Sequence, residues 1–325
     1  MPPLSASAVC LDIAARSSIG SGRDARTENQ DNYLVIDTTG MASYLVGQLE
    51  SRRQVAGWPQ GHARVAVLDG MGGHGHGREA AEAVVAGLLY LPAFTQLAAL
   101  EGALDALHAE LQQAFACEAG RRPGTTLTLL EIPPGTAALL YHVGDSRLYA
   151  IGPHTVAPLT VDHVPATGFA MDGALGADDW WEQVHGEHRP QISQAFMLGN
   201  AFANPALLAD NLFPLTRLNL PAWLSTLADR RAIALQPGVT YVLATDGFWS
   251  CPRAQMWMAR WPGLVHGGPG AAAAVAALFA ELENHPPRGM HPDNATAVAL
   301  RLVPSGAMLA DETALPEQLH GADHA

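Results

Sequence analysis

Apolar positions along the chain recur with two periods. Leu97, Leu100, Leu104, Leu107, Leu111 and Phe115 follow one another at spacings of three and four, which places them on one face of a helix. Residues 78–91 and 270–284 are Ala-rich helix patterns; Pro92 closes the first, and Val275, Leu278, Phe279 and Leu282 give the second an inward face. Short apolar runs bounded by Gly, Pro, Asn or Asp predict strands at 9–15, 33–36, 65–68, 125–132, 137–143, 148–151, 239–244 and 295–303. Residues 40–62 read as a loop or hairpin between two of these strands. Gly144-Asp145-Ser146-Arg147 reads as a tight hairpin turn. Residues 159–232 carry few periodic signals and read either as a weakly patterned subdomain or as a lid. Beyond Pro304 the chain is small, polar and acidic, so 304–325 is expected to be a disordered tail.

The stretch that organises the rest is V-A-V-L-D-G-M-G-G-H-G-H-G, residues 65–77. A buried strand ends at Asp69, glycines follow, and a helix opens. An aspartate at the end of a buried strand needs a hydrogen-bond partner or a cation. Three readings stand at this point. A phosphate-cradling loop at the helix start lacks the Gly-Lys-Ser/Thr ending of its usual form. An ordinary glycine turn would use Asp69 as a helix cap. A metal site would use the Asp69 carboxylate and the Gly70 carbonyl.

Composition narrows the classes. The chain has 325 residues, 48% hydrophobic, with a formal net charge of −13, and its 18 basic residues are all arginine. That charge argues against nonspecific binding of nucleic acid or anionic membranes. It leaves room for a phosphorylated substrate, because a bound divalent cation reverses the local sign. Cys10, Cys117 and Cys251 are far apart and odd in number, which indicates neither a disulfide framework nor a zinc knuckle and fits a reduced, cytoplasmic setting. The first residues have no basic segment followed by an apolar one, so no signal peptide is expected, and no run approaches the length of a membrane helix.

Asp69, Asp246 and Asp293 stand at predicted strand ends, and Asp31 and Asp145 lie in turns beside strands. Five carboxylates converging without cations would be costly. Two or three hard divalent ions would relieve them, and an all-oxygen donor set suits Mn2+ or Mg2+ rather than Zn2+.

The ordered set R-x-x-N-Q-D, D-G-M-G-G-H, G-D-S-R, L-T-x-D-H, T-D-G-x-W and D-N-x-T, spanning residues 26 to 303, resembles the metal-dependent protein phosphatases (PPM, protein phosphatase 2C) in their bacterial form. The resemblance implies an α+β fold: a four-layer α-β-β-α sandwich of two antiparallel sheets flanked by antiparallel helix pairs. It implies one phosphatase domain over residues 1–303, with a divergent flap at about 164–232. Within it, 192–199 resembles the end of the family flap and about 200–230 looks inserted. Asp69 would then bridge two ions, with the Gly70 carbonyl, Asp246 and Asp293 completing their ligands. Asp145 would help hold a third ion, Arg26 would clamp the substrate phosphate, and Asp31 would orient water. The implied reaction is hydrolysis of phosphoserine or phosphothreonine by a hydroxide bridging two ions. The implied setting is bacterial signalling, with a monomer opposing a Ser/Thr kinase on a phosphoprotein. The alternative is an inactive pseudophosphatase serving as a regulatory binding module. Met71 stands where many relatives carry the histidine thought to protonate the leaving group, which leaves His163 or a water for that role. Gln30 stands where some carry glutamate, and His74 and His76 read as polar loop residues.

Overall fold

In the computed structural model, residues 9–20, 26–72, 76–115, 122–186, 191–202, 204 and 206–304 are described. The expected tail, Cys117, His74 and two of the turn glycines lie outside them.

Two antiparallel sheets carry the fold. The first runs in the order Val9–Ser18, Ala295–Pro304, Thr240–Ala244, Arg147–Ile151, Val156–Pro158. The second runs Arg230–Ile233, Ala138–Val143, Leu127–Ile132, Ala63–Met71, Asp31–Ile36, Met41–Val46, Leu49–Gln54, and Gly124–Thr125 pairs with the far end of Ala63–Met71. Of the two readings of residues 40–62, the hairpin is the one that forms. Its strands pair Met41 with Gln54 through Val46 with Leu49.

Strand periodicity then sorts side chains between two faces. Tyr33 and Val35, Val65 and Val67, Leu130 and Leu140 of the second sheet share one core with Leu148, Tyr241, Leu243, Val298 and Leu300 of the first. Their neighbours Leu34, Ile36, Ala66 and Leu68 face the other way, against Val84, Val85 and Leu88 of the helix Gly77–Tyr90 and Leu100, Leu104 and Leu107 of Leu97–Phe115. On the first sheet, Tyr149, Val242, Ala244, Ala297 and Ala299 meet Val275, Leu278 and Phe279 of the helix Gly270–Asn284. Two short helices, Ala254–Met258 and Trp261–Val265, add Trp257 and Trp261 to that core; they are too short to show a helical period in sequence.

A buried ion cluster ties the first helix to the second sheet. The Arg64 guanidinium donates to Glu131 Oε2 at 2.6 Å and Oε1 at 3.1 Å, and to the Leu88 and Pro92 carbonyls at 2.6 Å each. His62 Nε2 and the Phe94 amide also reach Glu131 Oε1, at 2.7 and 2.9 Å. Arg64 and Glu131 are fully buried, so each charge depends on the other.

The stretch with few periodic signals is ordered round a small core of its own, made by Val161, Ala166, Ala170, Trp180, Val184, Leu215, Leu220 and Leu224. Its last residues, Arg230–Ile233, form the edge strand of the second sheet beside Ala138–Val143.

The turn Gly144–Ser146 is not a hairpin. Ala138–Val143 pairs with Leu127–Ile132 and Arg230–Ile233, whereas Arg147–Ile151 pairs with Thr240–Ala244 and Val156–Pro158. The chain crosses here from one sheet to the other. Local sequence could not distinguish a turn between paired strands from a turn between sheets.

Candidate active site

Asp69 and Gly70 do not lie in a turn beyond their strand. The strand continues through Met71, because Gly70 and Met71 pair with Thr125 and Gly124. Gly70 is needed for close approach rather than for a left-handed backbone: a Cβ there would come within 2.2 Å of the Gly77 carbonyl oxygen and 2.5 Å of that of Gln30. Its amide donates to the Gln30 carbonyl at 3.2 Å. The start of the first helix and the segment before Asp31 are thereby packed against the strand end.

Asp31, read from the sequence as a turn residue, instead opens the strand Asp31–Ile36 and is the direct cross-strand partner of Asp69. By strand parity both share the inner face with Tyr33, Val35, Val65 and Val67. Thr245 and Thr296 continue the inner face of the opposite sheet, two residues beyond Leu243 and two before Val298. The Thr245 hydroxyl donates to Asp31 Oδ2 at 2.7 Å, bridging the sheets, and accepts the Thr296 amide at 2.9 Å. Asp31 is buried. That burial, with Asp246 and Asp293 adding to it against the hydrogen bonds from Thr245 and Thr296, pushes its carboxyl up to about 8. Burial, then the charges of Asp31, Asp246, Asp145 and Asp293, hold Asp69 well above the usual carboxylate range. The other four aspartates singled out in the sequence are therefore within electrostatic reach of Asp69.

Asp69 is fixed through its backbone. Its amide donates to Thr126 Oγ1 at 2.9 Å, and its carbonyl accepts the Thr126 amide at 2.9 Å and the Thr125 hydroxyl at 3.0 Å. Asp246 opens a single helical turn, Asp246–Phe248, and its carbonyl accepts the Trp249 and Ser250 amides at 2.8 and 2.9 Å.

Arg26 reaches into the same cluster. Its Nη2 donates to Asp293 Oδ2 at 2.9 Å while more than half of its side chain stays exposed, at 56%. The Asp293 bond leads the effects that raise its pKa, and the charges of Asp69 and Asp246 add to it.

No family model and no curated protein matches the sequence. Solved structures do. The serine/threonine phosphatase of S. agalactiae superposes with a TM-score of 0.61 at 19% identity, over 90% of this chain and 99% of that one. The PPM Ser-Thr phosphatase MsPP from Mycobacterium smegmatis gives 0.57 at 20% identity, over 90% and 98%. The catalytic domain of the serine/threonine protein phosphatase PstP, solved in complex with two manganese ions, gives 0.55 at 21% identity, over 91% and 100%. The chain has the fold of the PPM-type serine/threonine phosphatases.

Within that PPM-type fold, the donor set suits hard divalent cations. It offers carboxylate and carbonyl oxygens, and burial followed by neighbouring negative charge raises the pKa of the opposed Asp31 and Asp69, a cost that a bound cation would relieve. The cluster is not closed round one point: among the described residues no three His, Cys, Asp or Glu side chains are grouped as an ion would need them.

His163 is not placed to protonate a leaving group. It is fully buried, with Nδ1 against the Gly144 backbone and Nε2 at 3.1 Å from Asp229. Gln30 contributes its backbone: its amide donates to Asn294 Oδ1 at 2.8 Å. Asn294, unassigned from the sequence, also donates to the Ile19 and Glu28 carbonyls at 3.1 and 3.0 Å. It thus holds the segment before Asp31 beside Asp293. Only its place in D-N-x-T hinted at this. Thr245 was equally unassigned, and its position two residues past Leu243 was the available signal.

Proposed function

We propose that this chain is a metal-dependent phosphoprotein phosphatase that hydrolyses phosphoserine or phosphothreonine. The observation that carries the proposal is the register of Asp31 against Asp69 on the inner face, with Asp145, Asp246 and Asp293 within reach. A fold has no stability reason to oppose two carboxylates in this way, since like charges directly across a strand pair repel.

Asp69, the Gly70 carbonyl, Asp246 and Asp293 would hold two ions, Mn2+ or Mg2+, and Asp145 would hold a third. Bound there, such ions supply the Lewis acidity that makes water nucleophilic near neutral pH and offset the phosphate charge. Arg26, more than half exposed, would exchange Asp293 for the equatorial phosphate oxygens; its planar fork matches two of them. Asp31, fixed by Thr245 across the sheets, would orient the attacking water. Met71 offers no proton, so solvent would protonate the leaving alkoxide. The substrate would be a phosphoprotein opposed by a Ser/Thr kinase. A monomer in the cytoplasm is compatible with the unpaired thiol of Cys251; among the described residues no helix is long and apolar enough to cross a membrane.

A regulatory module without turnover is the second reading. It draws on the Arg26–Asp293 ion pair, which ties up two side chains that substrate and ion would need. Hydrolysis of p-nitrophenyl phosphate and of a phosphothreonine peptide, with Mn2+ and with chelator, separates the two. Chelator-sensitive turnover supports the enzyme; folded, Mn2+-loaded protein without turnover overturns it.

A further inference from the structure

We propose that Asp229 is a positioning residue for the turn that carries Asp145, acting through His163. The role of Asp145 as an ion ligand rests on the phosphatase reading; the clamp itself does not.

Asp229 lies immediately before the edge strand Arg230–Ile233 and is 1% exposed, and His163 is 0% exposed. Three contacts pin Asp229. Its amide donates to the Leu215 carbonyl at 3.0 Å, its Oδ2 accepts the Leu215 amide at 2.9 Å, and its carbonyl accepts the His142 amide at 3.0 Å. The same Oδ2 stands 3.1 Å from His163 Nε2.

The other ring nitrogen faces the Gly144 backbone. Nδ1 stands 3.0 Å from the Gly144 N–H and 3.1 Å from the Gly144 carbonyl oxygen, so it meets a donor and an acceptor of one residue. On the far side of the ring, Asp229 Oδ2 is an acceptor, so Nε2 is the donor to it. His163 also donates its backbone N–H to the Gly144 carbonyl at 2.9 Å. One residue thus grips both ends of Gly144. That backbone has φ +109°, and a Cβ there would lie 2.6 Å from the Thr126 methyl group. The turn has one tight conformation, and Asp145 follows it directly.

The far side of the turn is held by the Asp69 strand's neighbours. The Ser146 carbonyl accepts the Thr128 hydroxyl at 2.9 Å, and Thr126 Oγ1 contacts both Ser146 Oγ and the Asp69 amide. The near side is held by His163, whose ring orientation depends on Asp229. Loss of the Asp229 carboxylate frees the His163 ring and the Leu215 amide, and leaves the His163 backbone bond to Gly144 in place.

The test uses full-length metal-free protein, with amide hydrogen exchange over 143–147 and Mn2+ titration by calorimetry. Asp229→Ala is expected to speed exchange at the turn and to weaken the Mn2+ class lost in Asp145→Ala by about tenfold or more, leaving the other class unchanged. Asp229→Asn is expected to keep exchange at the turn near wild type, because one amide oxygen can accept from both Leu215 and His163, while its NH2, in the buried and unpartnered Oδ1 position, lowers overall stability. Should Asp229→Ala not fold, His163→Gln tests the clamp from its other end, since it removes the ring and leaves the Asp229–Leu215 bonds in place. Glu131→Gln controls for general destabilisation. Unchanged exchange and an unchanged isotherm in folded Asp229→Ala overturn the proposal, as does an equal effect in Glu131→Gln. Wild type that binds no Mn2+ overturns the phosphatase reading instead, while the exchange arm still decides the clamp.

Discussion

Asp31 and Asp69 face each other across neighbouring strands, and Thr245 of the opposite sheet donates to Asp31 at 2.7 Å. In metal-free protein burial and the neighbouring charges push both carboxyls towards their protonated forms, so ionising the pair costs stability. At a pH above the raised carboxyl range, Asp69→Asn should therefore stabilise the metal-free chain by about 1 kcal/mol or less. With excess Mn2+ the order should reverse, since wild type gains stability from ion binding and the variant loses a ligand. Thermal unfolding in chelator and in Mn2+ measures both signs. Equal Mn2+ shifts in the two proteins would sink the assignment of Asp69.

Asp246→Ala should lower p-nitrophenyl phosphate turnover by roughly 10²-fold or more, while far-UV circular dichroism stays unchanged. The Asp246 carbonyl accepts the Trp249 and Ser250 amides, and those bonds survive the substitution. Full activity in the variant would show the site to be misassigned.

Arg26→Ala should cut kcat/KM for phosphopeptide by about 10²-fold, and Arg26→Lys should recover only part of it, because a single ammonium cannot reproduce a planar two-point contact. Steady-state kinetics at saturating Mn2+ checks this. A lysine variant equal to wild type would argue that Arg26 acts only as a diffuse charge.

Glu131→Gln should cost about 3–5 kcal/mol of unfolding free energy, because the buried Arg64 guanidinium would lose its countercharge. Urea unfolding gives the value. Loss below 1 kcal/mol would mean that the carbonyls of Leu88 and Pro92 satisfy Arg64 on their own.

Burial holds His142 and His185 well below the usual histidine range. The unfolded chain takes up these protons near pH 6.5 and the folded chain does not. Their contribution is thus complete above that pH and is lost as pH falls below it. Asp31, raised to about 8 in the folded state, acts in the opposite sense: its contribution falls as pH rises from about 4 towards 8. Comparing wild type with His185→Phe isolates the histidine. Both ring nitrogens of His185 lack partners, so the variant should match or exceed wild type at pH 7.5 and lose less stability on going to pH 5.5. Identical urea midpoints for the two proteins at both pH values would contradict this.

The helices at 77–90, 97–115 and 270–284 were legible because each has enough turns to repeat its apolar face. The helices at 254–258 and 261–265 have barely more than one turn apiece, and periodicity cannot register there. The strand Arg230–Ile233 begins with two arginines, so it carries no apolar alternation; it is a strand because Ala138–Val143 offers it an edge.

The sequence by itself determined the period of each long element and the residue types able to serve oxygen-liganded cations. These follow from local spacing and chemistry. The tertiary structure alone decided that Gly144–Ser146 crosses between sheets, that Gly70 serves close packing with Gly77 rather than a turn, that Arg26 rests on Asp293, and that His163 is locked between Gly144 and Asp229 rather than facing substrate. Each of these depends on which distant segments meet, and hydrogen-bond partners far apart in the chain leave no periodic trace along it.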